Sequence, residues 1–145
     1  MSLTEDFLSA NEESEIVQAI QIAENLTSGE IRVHIEAHAD SDVLTRAKDV
    51  FFQLDMNKTN ARNGVLFYIG VQDHTFAIVG DEGIDKVVAP DFWECTKDVV
   101  LTHFKNKQFK EGLVAGILNA GEQLKKYFPY EGSDKDELSN EISRG

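Results

Sequence analysis

Two periods of hydrophobic and polar positions alternate along the chain. Ile16, Val17, Ile20, Ala23 and Leu26 recur at helical spacing behind a capping-box pattern of Ser9 and Glu12, until Thr27-Ser28-Gly29 breaks the run. That predicts a helix over about 10–26. From Glu30 the period falls to two: Ile31, Val33, Ile35 and Ala37 share one face of a strand, and Arg32, His34, Glu36 and His38 the other, polar one. Asp40 or Ser41 is placed to cap a second helix that carries Val43, Leu44, Ala47, Val50, Phe51 and Leu54. Residues 65–69, VLFYI, are apolar on both faces, as a strand at the centre of a covered sheet must be.

The strand–helix–strand order makes the first two strands parallel. Only residues 70–73 join the second strand to the run at 74–79, too few for a crossover, so the third strand returns antiparallel in a hairpin. Asp91 with Glu94, after Pro90, repeats the capping pattern and opens a helix with Phe92, Val99, Val100 and Phe104 inward. A last helix carries Phe109, Leu113, Ile117, Leu118, Leu124 and Phe128 and stops at Pro129. The expected fold class is α/β: a small mixed sheet, a parallel βαβ unit plus an antiparallel hairpin, sandwiched by helices in an αβα arrangement. It forms one domain over 1–128, and the acidic tail 129–145 is expected to be mobile or loosely docked.

Charge narrows the partners. Twenty-six Asp and Glu against 14 Lys and Arg give a net charge of −12, which repels nucleic acid and anionic membrane surfaces and leaves cations or a basic protein surface as the expected partners. Residues 1–31 alone hold Glu5, Asp6, Glu12, Glu13, Glu15, Glu24 and Glu30 and no Lys or Arg, so that face is expected to be strongly negative. One cysteine, no leader-like start and no apolar run of about 20 residues point to a cytoplasmic chain that is not inserted in a membrane.

The predicted topology brings three polar segments to one end of the sheet: Thr27-Ser28-Gly29-Glu30, the stretch 57–64 (NKTNARNG) and the stretch 80–85 (GDEGID). Carboxylates, amides and glycines gathered there suit an oxygen-ligand site for Ca²⁺ or Mg²⁺, with Asp81, Glu82, Asn57, Asn63 and Glu30 as candidate ligands. Arg62, Lys58 and Thr59 are the candidate contacts for a phosphate or other ligand, and Gly64, Gly80 and Gly83 the turn glycines. Plain turn chemistry accounts for the same residues. The spacing is not that of an EF-hand.

Other constellations carry less. His34 and His38, four apart on a strand, stand roughly 13 Å apart along its axis and cannot share one ion. His74 and His103 read as surface or packing residues, and Cys95, beside Glu94, lacks the electropositive setting of a reactive thiol and reads as structural. Phe92 and Trp93 read as core rather than pocket wall. Gly80-x-x-Gly83 lacks the Lys of a phosphate loop. No nucleophile–base pair is recognisable, so the catalytic residues stay unknown.

In combination, residues 26–36 (LTSGEIRVHIE), 56–70 (MNKTNARNGVLFYIG), 76–85 (FAIVGDEGID) and 91–93 (DFW) resemble the TPM-domain family over about residues 5–128. The resemblance implies an αβα fold and a Ca²⁺ or Mg²⁺ site, with either an acid phosphatase-like activity or a non-catalytic regulatory or assembly role. Its asparagine–glycine step into the second strand falls on Asn63 and Gly64, and its glycine turn after the third strand on Gly80 and Gly83. Many relatives have G-x-G at that turn, where this chain has Gly80-Asp81-Glu82-Gly83, and many carry a leader and a membrane-spanning segment.

Overall fold

The computed structural model describes residues 7–38, 42–59, 61–72, 75–130 and 142–144. In chain order the elements are α1 (Ala10–Glu24), β1 (Glu30–Glu36), α2 (Val43–Gln53), a 3₁₀ turn (Met56–Lys58), β2 (Gly64–Gly70), β3 (Thr75–Gly80), α3 (Glu82–Asp85), α4 (Glu94–Lys105), α5 (Phe109–Leu124) and β4 (Ser143–Arg144).

The four strands form one mixed sheet in the order β3-β2-β1-β4. β1 and β2 are parallel, from Glu30 opposite Gly64 to Glu36 opposite Gly70, and β2 and β3 are antiparallel, with Val65 opposite Gly80. This is the expected βαβ unit with its hairpin. All seven residues of β2 are buried, because helices cover both faces of the sheet. On one face Ile31, Val33, Ile35, Val65, Phe67 and Ile78 pack with Ile16 and Ile20 of α1, Val100 of α4 and Leu113 and Ile117 of α5. On the other, Leu66, Tyr68, Ala77 and Val79 pack with Ala47, Val50 and Phe51 of α2 and with Met56.

Local chemistry differs from the sequence expectation in several places. The first helix is capped as expected, Ser9 Oγ accepting from Glu12 N and Glu12 Oε1 from Ser9 N. The second is capped by Asp42, which accepts from Thr45 N at 3.2 Å; Asp40 and Ser41 lie outside the described residues, as do Asn60 and His74. Asp91 does not cap α4: Glu94 N donates to the Asp91 backbone carbonyl at 3.0 Å, and the helix starts after Trp93 without a side-chain cap. Glu24 does not belong to an exposed acidic face, since it is buried and accepts from Ile31 N at 3.1 Å. Cys95 is exposed.

Past residue 128, Pro129 bridges Thr27 in antiparallel fashion and Ser143–Arg144 pair with His34 and Ile35 of β1 in parallel. Arg144 forms an ion pair with Glu13. Among the described residues no helix is long and apolar enough to cross a membrane.

Candidate functional site

Parallel pairing of β1 with β2 and the return of β3 set the starts of the first two strands beside the end of the third, so the three polar segments do meet. Asn63 is the hinge of the arrangement. Its carbonyl accepts from Glu30 N at 3.3 Å, its amide nitrogen Nδ2 donates to Ser28 Oγ at 3.3 Å, and its backbone N–H donates to Thr59 Oγ1 at 3.2 Å. Asn63, Thr59 and Glu30 are all buried, so these bonds exchange for no water and fix the loop. The 80–85 turn is docked on the same loop through Asp81 N to Gly64 O at 3.0 Å and Gly83 N to Arg62 O at 2.9 Å.

Gly83 is required there by space. A Cβ at this position would stand 2.2 Å from Ala61 O and 2.5 Å from Arg62 O, so only a glycine lets the two backbones approach. Arg62 itself has a φ of +51°, a left-handed conformation unusual for a residue with a side chain.

The acids of the turn face that arginine. Arg62 Nε lies 2.8 Å from Asp81 Oδ2, its second guanidinium nitrogen 3.0 Å from Asp81 Oδ1, and the third 3.0 Å from Glu82 Oε1. This is a bidentate clamp on a carboxylate that is only 5% exposed. The Asp81 hydrogen bond, with the Asp81 and Glu82 charges behind it, raises the Arg62 pKa. Asp81 also caps α3, accepting from Glu82 N at 2.8 Å. Desolvation, followed by the Asp81 carboxylate, pushes the Asp85 carboxyl up, against the pull of Lys48.

The candidate residues therefore divide. Asp81, Glu82 and Arg62 are in direct contact; Asn63, Thr59, Glu30, Gly64 and Gly83 frame them. Asn57, on the 3₁₀ turn, bonds to neither acid, and Lys58 turns to Asp55, its Nζ 3.3 Å from Oδ1. The indole of Trp93 lies over Gly80, where a Cβ would come within 3.1 Å of Nε1. The donor set is hard oxygen, which suits Ca²⁺ or Mg²⁺. A guanidinium already engages Asp81 and Glu82, and among the described residues no three His, Cys, Asp or Glu side chains are grouped as a metal site. The residues fit such an ion only in exchange for Arg62.

A second polar centre, absent from the sequence reading, lies under α2. Glu36 is buried and receives the Arg46 guanidinium on both oxygens, Nε at 3.0 Å from Oε2, as well as the Tyr68 hydroxyl. His34 Nε2 stands 3.0 Å from Glu36 Oε1 and its Nδ1 2.9 Å from Ser143 Oγ, and its ring stacks on Tyr68. Burial alone would raise the Glu36 carboxyl, but the hydrogen bonds from Arg46, Tyr68 and His34 hold it down at about 2. Burial lowers the His34 pKa despite Glu36, and burial followed by the Glu36 bond raises that of Tyr68. The one signal in the sequence was two ionisable residues alternating on the face of a strand whose neighbour, β2, is apolar on both sides.

Among solved structures, the BA42 protein of the psychrophilic bacterium Bizionia argentinensis superposes with a TM-score of 0.93 at 53% identity, over 100% of each chain. The N-terminal domain of a P. gingivalis protein superposes at 0.68 with 18% identity over 87% of this chain and 82% of that one. The N-terminal domain of a Corynebacterium glutamicum protein superposes at 0.63 with 10% identity over 88% and 78%. The last two show the fold alone. No curated protein matches the chain. The TPM domain model matches residues 2–123, a span that holds the whole sheet-end cluster, and the chain belongs to the TPM domain family.

Proposed function

We propose that this domain is a non-catalytic regulatory or assembly module whose sheet-end acids take a divalent cation, Ca²⁺ or Mg²⁺, in exchange for Arg62. The observation that carries the reading is the imbalance at the turn. Asp81 and Glu82 share one guanidinium, and Asp85 is destabilised as an anion by desolvation and by Asp81, against the pull of Lys48. A doubly charged ion relieves that repulsion better than a single arginine does. The hydroxyls nearest the loop, Ser28 and Thr59, accept hydrogen bonds from Asn63, and this favours a binding role over an attacking one. Bound cation then changes how the 61–64 loop and the 80–85 turn are held together, and through them the surface offered to a protein partner.

A titration of metal-free protein with Ca²⁺ and then Mg²⁺, followed on backbone amides, tests this. Saturable shifts confined to 27–30, 57–64 and 80–85, with a dissociation constant on the order of 10⁻⁴–10⁻³ M for so small a ligand set, are expected. Shifts spread evenly over exposed acids, unaltered by Asp81→Asn, mean counter-ion attraction and end the proposal.

A second reading is favoured by one feature, the position of Arg62. Its side chain is 36% exposed beside the acids, so a cation that releases it leaves a guanidinium free to neutralise a phosphate. The domain then acts as a cation-dependent, acid phosphatase-like phosphomonoester hydrolase. Turnover of p-nitrophenyl phosphate that requires the cation and disappears in Asp81→Asn supports it; no turnover above that of the variant removes it.

A further inference from the structure

The geometry points to the groove between α1 and α5 as a docking site for an amphipathic helix of a partner protein, one with basic residues beside its apolar stripe. This rests on the reading of the domain as a binding module, and it names the surface and the partner class.

The two helices run in parallel. Gly121 of α5 packs so closely on Ala23 of α1 that a Cβ on the glycine would lie 2.9 Å from the alanine Cβ, whereas at the other end Lys110 Nζ reaches Glu15 Oε1 at 3.4 Å across the gap. The helices touch at their C-terminal ends and are linked by this ion pair toward their N-terminal ends. Between them lies a groove of about 440 Å³.

Its lining has the spacing of a helix seam. Residues 15, 18, 19 and 22 of α1 and 110, 111, 114, 115 and 118 of α5 line it, each set a single stripe of its helix. Ala19, Ile22, Val114, Ala115 and Leu118 make the floor and walls. Ile22 is 53% exposed, an aliphatic side chain at the end of the stripe with water over it. The two alanines leave room for the side chains of a third helix to reach the floor, which is the packing that helix-in-groove partners use.

Charge selects the sign of that helix. Glu15 and Glu111 flank the groove, and the first 31 residues hold no Lys or Arg. Lys110, the one base on the rim among the described residues, is engaged by both acids, 3.4 Å from Glu15 and 3.7 Å from Glu111. A lysine or arginine of the incoming helix joins these acids, whereas an acidic helix is repelled by a chain of net charge −12.

The test uses the full chain, ¹⁵N-labelled, and a synthetic amphipathic helix with leucines on one stripe and lysines on the other face. Its control has the same lysines with serines in place of the leucines. The expected result is saturable shifts of amides in 15–22 and 110–118 with the leucine peptide. Ile22→Glu, at a half-exposed position that leaves the fold intact, weakens binding at least about tenfold, and Glu15→Lys steepens the loss at low salt. Equal shifts from the serine control show charge attraction only and overturn the proposal. So do shifts that grow with protein concentration before peptide is added, which assign the groove to a second copy, and so does an unmoved spectrum. The cation titration reads a different set of amides, so failure of either site leaves the other standing.

Discussion

Tyr68 on β2 and Glu36 on β1 are diagonal neighbours on the sheet face covered by α2, and the tyrosine hydroxyl donates to Glu36 Oε2 in a fully buried position. A carboxylate is tolerated there because Arg46 and Tyr68 donate to its two oxygens and His34 Nε2 stands 3.0 Å from Oε1. Removing any one of them leaves a buried charge short of a partner.

Stability is therefore expected to fall with acid in two steps. Glu36 is held at about 2 against its ordinary 4.5, so the unfolded chain takes up its proton first, and the stabilisation present above pH 4.5 is lost as pH drops from there toward 2. On linkage grounds this amounts to roughly 3 kcal/mol. His34 is lowered from 6.5, so it too favours the folded state less as pH falls below 6.5. Urea unfolding at a series of pH values checks this. Glu36→Gln should be less stable at pH 7 and lose the limb below 4.5; an unchanged limb assigns the acid sensitivity to other carboxylates.

Tyr68→Phe isolates one donor. The phenyl ring keeps the packing while Oε2 loses a hydrogen bond in a buried site, which costs about 1–3 kcal/mol. Because that bond helps hold the Glu36 carboxyl down, the acid midpoint should also move to higher pH. A drop in stability with no movement of the acid limb would mean that the hydroxyl contributes packing alone.

The strand and helix order, the parallel and antiparallel pairings and the meeting of three loops were legible because each rests on periodicity and connection length, which are local. Three things were not. The capping carboxylate of α2 is Asp42 because cap choice depends on where the chain enters the helix, and Asp40 and Ser41 offer the same chemistry by sequence. Arg62, expected at a phosphate, lies on Asp81 because the left-handed turn at Arg62 and the space left by Gly83 bring the loops together. The Glu36 centre was invisible because alternation of Arg32, His34 and Glu36 reads as a solvated face. Only the docking of α2 and of Ser143 turns it inward.

Helix packing makes a prediction of its own. A Cβ on Gly116 of α5 would stand 2.3 Å from Val100 Cγ2 of α4, so Gly116→Ala should force the helices apart at a cost of roughly 1–3 kcal/mol. Val100→Ala removes the methyl groups in the way. Thermal unfolding of both single variants and the double should show coupling, the double losing less than the two singles together. Strict additivity would place the strain elsewhere.

Gly83→Ala should act on the site rather than on the core. The added methyl group meets backbone oxygens of 61 and 62, which cannot rotate away, so the 80–85 turn must lift and the Gly83 N to Arg62 O bond breaks. Faster amide exchange at Gly83 and Asp81 and a weakened cation response are expected together. Gly80→Ala provides the contrast: its Cβ meets the Trp93 indole at 3.1 Å, a side chain that can shift by a few tenths of an ångström, and the response should be milder.

Arg62 and Asp81 decide whether cation binding is an exchange. If the guanidinium competes with the ion for the same oxygens, Arg62→Gln should raise Ca²⁺ affinity, on the order of tenfold, while lowering metal-free stability only slightly, since the arginine is partly exposed. Added Ca²⁺ should restore that stability, because an ion that binds only the folded state stabilises it by mass action. Asp81→Asn should lose both the cation response and the clamp. The two substitutions thus move affinity in opposite directions, although each removes one partner of the same contact. Calorimetric titration of both variants is the check. Were Arg62→Gln to weaken binding as Asp81→Asn does, the arginine would be positioning Asp81 for the ion rather than standing in its place, and the exchange model would fall.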